Sequence, residues 1–110
     1  MGNSPDNFTG PREVWSAPRI EKVRSDLEIA ISEAQELMAS HEPIIQEVHD
    51  ALVELGHRVI EAGEVHEDIL RLQAQVKPDQ EEVNDILKGA IKTRTALLEA
   101  YLKAKTEIEE

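Results

Sequence analysis

From Ile20 to Ile108 apolar residues of this chain recur at steps of three and four in three runs, separated around Pro43 and Pro78. Such stepping keeps apolar side chains on one stripe of an α-helix and does not fit the two-residue alternation of a half-buried strand. The first run is Ile20, Val23, Leu27, Ala30 with Ile31, Ala34, and Leu37 with Met38. Ser16, Ala17 and Pro18 precede it: a hydroxyl that can cap free backbone N–H groups, then a proline tolerated in the first turn. These residues predict a first helix over 17–39. Trp15, just before the cap, and Ile20, at the fourth helical position, have the spacing of a hydrophobic staple.

Pro43 would remove a helical hydrogen bond and clash with the carbonyl four residues back, so the first helix stops before it. Ser40 is a candidate cap for the next. The second run, Ile45, Val48, Leu52, Leu55, Val59, Ala62, His66, Ile69, Gln73 and Val76, holds its phase across Gly63 and predicts one helix over 42–76. Glycine costs about 1 kcal/mol against alanine within a helix. A break near Ala62–Glu64 into two shorter helices is therefore the alternative. After Lys77, Pro78 and Asp79, a third helix starts among Asp79, Glu81, Glu82 and Asp85, where acidic side chains complement the helix dipole. It carries Val83, Ile86, Leu87, Ala90, Ile91, Leu97, Leu98, Tyr101, Ala104 and Ile108, with Glu99 and Lys103 one turn apart as a candidate ion pair.

Short connections force neighbouring helices to run antiparallel. The expected fold class is all-α: an antiparallel three-helix bundle or long helical hairpin, becoming four helices if the second breaks at Gly63. Residues 1–17 form an irregular N-terminal arm and residues 18–110 the helical bundle domain. The first helix is the shortest of the three by this reading, so part of the long hairpin is left uncovered.

Composition narrows the function. Only three residues are aromatic, Phe8, Trp15 and Tyr101, so the core is aliphatic. The net charge is −11, and no segment has the lysine and arginine excess that phosphate neutralisation requires. Neither nucleic acid nor an anionic membrane is an expected partner, and no apolar run approaches the roughly 18 residues that span a bilayer. With no basic and apolar leader at the N-terminus either, the default expectation is a soluble intracellular protein. The absence of cysteine removes disulfides, thiolate metal sites and cysteine nucleophiles.

Four histidines, His41, His49, His57 and His66, raise metal binding, but at about 100° per residue His49 and His57 diverge by about 80° and His57 and His66 by about 180°. Glu54 and His57 match the Glu-x-x-His spacing of di-iron bundles. One such pair is too few, and the helical phase points both outward, so Glu54 and His57 are weak candidates and no metal or other cofactor is expected. His66 falls on the apolar stripe as a neutral, hydrogen-bonded histidine within the bundle. Glycine-rich phosphate loops, nucleophile elbows and desolvated carboxylate pairs are missing, which argues against an enzyme and against a small-molecule substrate.

Two features point to protein contacts. Val53, Gly56, Ile60 and Gly63 form a strip about a quarter-turn from the apolar stripe of the second helix, with small residues that permit close backbone approach. It serves either the chain's own helices or another subunit. Phe8 and Trp15 are large apolar side chains on the arm, and aromatic anchors of this kind concentrate interface energy. The resulting expectation is a non-enzymatic structural subunit of a larger, virion- or scaffold-like assembly, self-associating through helix faces and docking through its arm. Its partners are then further copies of the chain, other protein subunits, or both. One alternative is an acidic helical regulatory or adaptor module that binds a basic protein, and another is a carboxylate/histidine metal-binding bundle.

Overall fold

The computed structural model describes residues 15–42 and 44–109. They form three helices and no strand: α1 Ala17–Ser40, α2 Gln46–Ala74 and α3 Gln80–Glu109. α2 runs unbroken through Gly63, so the four-helix alternative does not apply. Together the helices make an all-α bundle in which α2 and α3 share the largest interface and α1 packs on both.

Register between α1 and α2 is visible in three side-chain contacts. Glu21 meets Gln73, Glu28 meets His66, and Met38 meets Gly56. Each advance of seven or ten residues along α1 is matched by an equal retreat along α2, which is antiparallel packing. Trp15 at the start of α1 meets Gln80 and Asn84 at the start of α3, so those two helices run in the same direction.

Local chemistry sets the ends. Ser16 Oγ accepts from the Arg19 N–H at 3.3 Å, the capping bond expected from sequence. Asp79 begins α3: its carbonyl accepts from the Val83 N–H at 2.9 Å and its carboxylate from the Glu81 N–H at 3.3 Å. The start of α2 differs from expectation. It begins at Gln46 rather than near residue 42, because the residue before a proline is pushed out of the helical region and His41 is already extended, with φ −134° and ψ 140°. Ser40 does not cap α2. It closes α1, donating to the Glu36 carbonyl at 2.7 Å, while Ile45 precedes α2 without a side-chain cap.

The later start shortens α2, and the helices, at 24, 29 and 30 residues, match better than the sequence suggested. The core holds seventeen buried hydrophobic residues and no buried polar residue among those described, and seven of the seventeen are alanine. Alanine at Ala30, Ala34, Ala51, Ala62, Ala90, Ala100 and Ala104 lets the helices approach closely around large anchors such as Leu27, Leu55, Ile69, Leu87 and Leu97. α2 buries a wider arc than a single stripe. Val48, Leu55, Ala62 and Ile69 lie at its centre, with Ala51 and Leu72 also buried, because a helix in a three-helix bundle faces two partners. Ile45 and Val76, at the ends of the expected stripe, lie outside the helix and are exposed. Glu99 and Lys103 do not form the ion pair that their spacing allowed.

Candidate interaction surfaces

Trp15 belongs to the interior of its own chain. It is 7% exposed, its backbone N–H donates to Gln80 Oε1 at 3.1 Å, and its indole Nε1–H donates to Asn84 Oδ1 at 3.2 Å. Arg19 stacks its guanidinium over the ring at 4.2 Å from the centroid. With Ile20 and Leu72, the ring closes the end of the bundle where α1 and α3 begin and α2 finishes. Phe8, the other aromatic anchor expected on the arm, lies outside the described residues.

The strip on α2 is only partly used within the chain. A methyl group built on Gly56 would sit 3.8 Å from Met38 Sδ, an ordinary contact with α1, whereas one built on Gly63 would meet nothing within 4 Å. Val53 and Ile60 are 45% and 63% exposed. Leu70 continues the same face and is exposed as well. The strip therefore skirts the α1 contact at one glycine and presents its large side chains to solvent.

A further apolar surface was not anticipated. Ile44 and Ile45 are exposed in the α1–α2 connection and, with Val48 and Ile108, line a cleft of about 490 Å³ at that end of the bundle. The sequence signal is the isoleucine pair directly after Pro43, of which Ile45 also fits the helical phase.

Along the α2–α3 junction runs an open groove of about 560 Å³. Ala51, Ala96 and Ala100 form its floor, and Glu47, Asp50, Glu54, Glu99 and Glu107 outnumber Arg58 and Lys103 along its walls. Glu54, one of the two weak metal candidates, is engaged here by Arg58, whose Nε donates to its carboxylate at 3.0 Å. Arg58 also reaches Glu61, and that hydrogen bond, with the nearby negative charge, makes its guanidinium hold its proton more tightly than usual. His57 is exposed, and no group of three or more His, Asp or Glu among the described residues is arranged to hold a metal ion.

His66 sits against α1, where Nε2 lies 2.9 Å from Glu28 Oε2 and the side chain is 18% exposed. The hydrogen-bonded histidine expected on the stripe is present at the α1–α2 edge, and its partner there is a carboxylate. Arg24 links Glu28 to Glu21, and Gln73 Nε2 donates to Glu21 Oε1 at 2.8 Å. The Arg24 guanidinium, helped by the Gln73 amide, holds the Glu21 carboxyl below the usual carboxylate range. The network joins α1 to α2 along one edge. Glu21 and Gln73 also line the open cleft of about 570 Å³ beside Trp15, and the contacts of the network across the two helices favour one helix register.

No helix among the described residues is long and apolar enough to cross a membrane. Comparison of the chain with protein-family models, with curated proteins and with solved structures finds no match.

Proposed function

We propose that this chain is a non-enzymatic structural subunit that associates with further copies of itself through helix faces and attaches to a larger assembly through its N-terminal arm. One observation carries the reading: three of the exposed large aliphatic side chains, Val53, Ile60 and Leu70, lie along the same outer face of α2. Exposed aliphatic side chains aligned on one helix face support a protein contact in this reading. Trp15 is committed to its own bundle, so in this reading attachment through the arm falls to Phe8. Light scattering on the full-length protein during size-exclusion chromatography tests it. A discrete oligomer is expected, and a monomer throughout the micromolar range refutes self-association.

A second reading, an acidic adaptor for a basic protein segment, draws on the alanine-floored α2–α3 groove, whose walls carry five carboxylates and two cationic side chains. Salt separates the two. Binding through the groove weakens steeply from low to moderate ionic strength, whereas association through Val53 and Ile60 holds or strengthens as the repulsion between chains of charge −11 is screened.

A further inference from the structure

The outer face of α2 is a heptad seam in its own right. Its members are His49, Val53, Gly56, Ile60, Gly63 and Glu67, at steps of four, three, four, three and four. Gln46 and Leu70 extend it at either end, giving about 36 Å of helix. All lie outside the buried core, with the two glycines half-buried and the others exposed.

We infer that this seam pairs with the same seam of a second copy, antiparallel, about a twofold axis at the level of Arg58. The inference rests on the self-association proposed above and specifies its symmetry and register. In an antiparallel pair of heptad helices, the two kinds of seam position face each other across the interface. About this axis Val53 lies opposite Gly63 of the second copy, and Ile60 opposite Gly56. Every central layer thus sets one branched side chain against one glycine, a knob over the space left by a missing side chain. A methyl group built on Gly63 would meet nothing within 4 Å among the described residues, and the large neighbours are exposed, so the knobs and hollows are present before association.

Hydrogen bonding complements shape one layer further out. His49 lies opposite Glu67 of the second copy, and symmetry repeats the pair at the other end. Among the described residues Glu67 makes no ion pair, and the His49 imidazole has a polar contact with the neighbouring Asp50 carboxylate alone, at 3.4 Å. A parallel arrangement would instead set Glu67 against Glu67, crowd Ile60 on Ile60 and leave paired glycines as voids. Within the seam itself the antiparallel register sets no carboxylate opposite another, which suits a chain of net charge −11.

Because the chain has no cysteine, single thiols report the register directly. Val53→Cys protein and Gly63→Cys protein, one carrying a size tag, are mixed and oxidised with diamide. A disulfide between the two variants is expected, with little between identical ones, since like positions would be about 15 Å apart along the axis and a disulfide needs Cα atoms within about 7 Å. Independently, His49→Glu should weaken the dimer about tenfold, because symmetry places it against Glu67 twice. Adding Glu67→Lys should restore it. Positions 49 and 67 are about 27 Å apart within one helix, so the rescue cannot be intramolecular. Circular dichroism verifies that each variant is folded.

If light scattering shows an oligomer but Val53→Cys links to itself, or no link forms between the two variants, the register is overturned while self-association stands. Equal weakening by His49→Glu alone and by the double variant also overturns it. A monomeric wild type overturns both this register and the self-association on which it rests.

Discussion

Replacing Trp15 by alanine asks whether this residue is part of the fold or an anchor for another molecule. Core Trp→Ala substitutions cost about 3–5 kcal/mol, and the position of Trp15 ahead of the first helix favours the lower end because the site can relax. The indole bond to Asn84 contributes about 1 kcal/mol and the Arg19 stacking about 0.5 kcal/mol, but Asn84 is only half-buried and regains water once the ring is gone. The expected loss is therefore about 3 kcal/mol, a large share of the 5–15 kcal/mol typical of a small domain, with Tm falling by about 12 °C. Trp15→Phe keeps most of the apolar contact and loses the indole donor, and is expected to cost about 1 kcal/mol.

Urea unfolding followed by circular dichroism measures both variants. Trp15 is the only tryptophan, so wild-type fluorescence reports its release from Gln80 and Asn84. If it is part of the cooperative core, fluorescence and helix content change together. A loss below about 1 kcal/mol for Trp15→Ala, or fluorescence that changes fully before helix content does, would refute a structural role and return Trp15 to the interaction surface.

Gly89→Ala should stabilise the fold by about 0.5–1 kcal/mol in urea unfolding, since the added methyl meets nothing within 4 Å and alanine is the better helix former. Arg94 Nε is enclosed without a hydrogen-bond partner among the described residues, so Arg94→Met, which keeps the aliphatic stem, should raise the urea midpoint by an amount equivalent to up to about 1 kcal/mol. The Glu21 carboxyl is held below its ordinary range of about 4.5 by Arg24 and Gln73, so its contribution is complete above that value and is lost as pH falls through the lower folded-state value. Glu21→Gln should thus lower the urea midpoint at neutral pH, and the gap to wild type should close well below pH 4.5; a gap that persists unchanged in acid contradicts the assignment.

Sequence periodicity was sufficient for three helices, for the Ser16 cap and for an unbroken α2, because each depends on residues within a turn or two of one another. The start of α2 lies four residues later than periodicity predicts for a related reason: Ile45 fits the apolar phase, and phase alone does not register that the chain before Pro43 is already extended. Contacts between helices were less legible. Trp15 has staple spacing toward Ile20, but its two hydrogen bonds go to Gln80 and Asn84, more than sixty residues away, and no local pattern marks them. The place of His66 on the stripe implies a hydrogen-bond partner, but that the partner is Glu28 is decided by another helix.

The same distinction explains the outer face of α2. Two heptad seams run along this helix one residue apart, and periodicity finds both without ranking them. What separates them is side-chain size and the number of neighbours available. Three helices bury an arc centred on Val48, Leu55, Ala62 and Ile69, and α1 reaches far enough around to touch Gly56 through Met38 but leaves Gly63 untouched. A fourth helix would be needed to cover Val53 and Ile60. This chain has no further helix among its described residues, whereas a second copy offers one whose bulky and glycine positions already alternate in the opposite order.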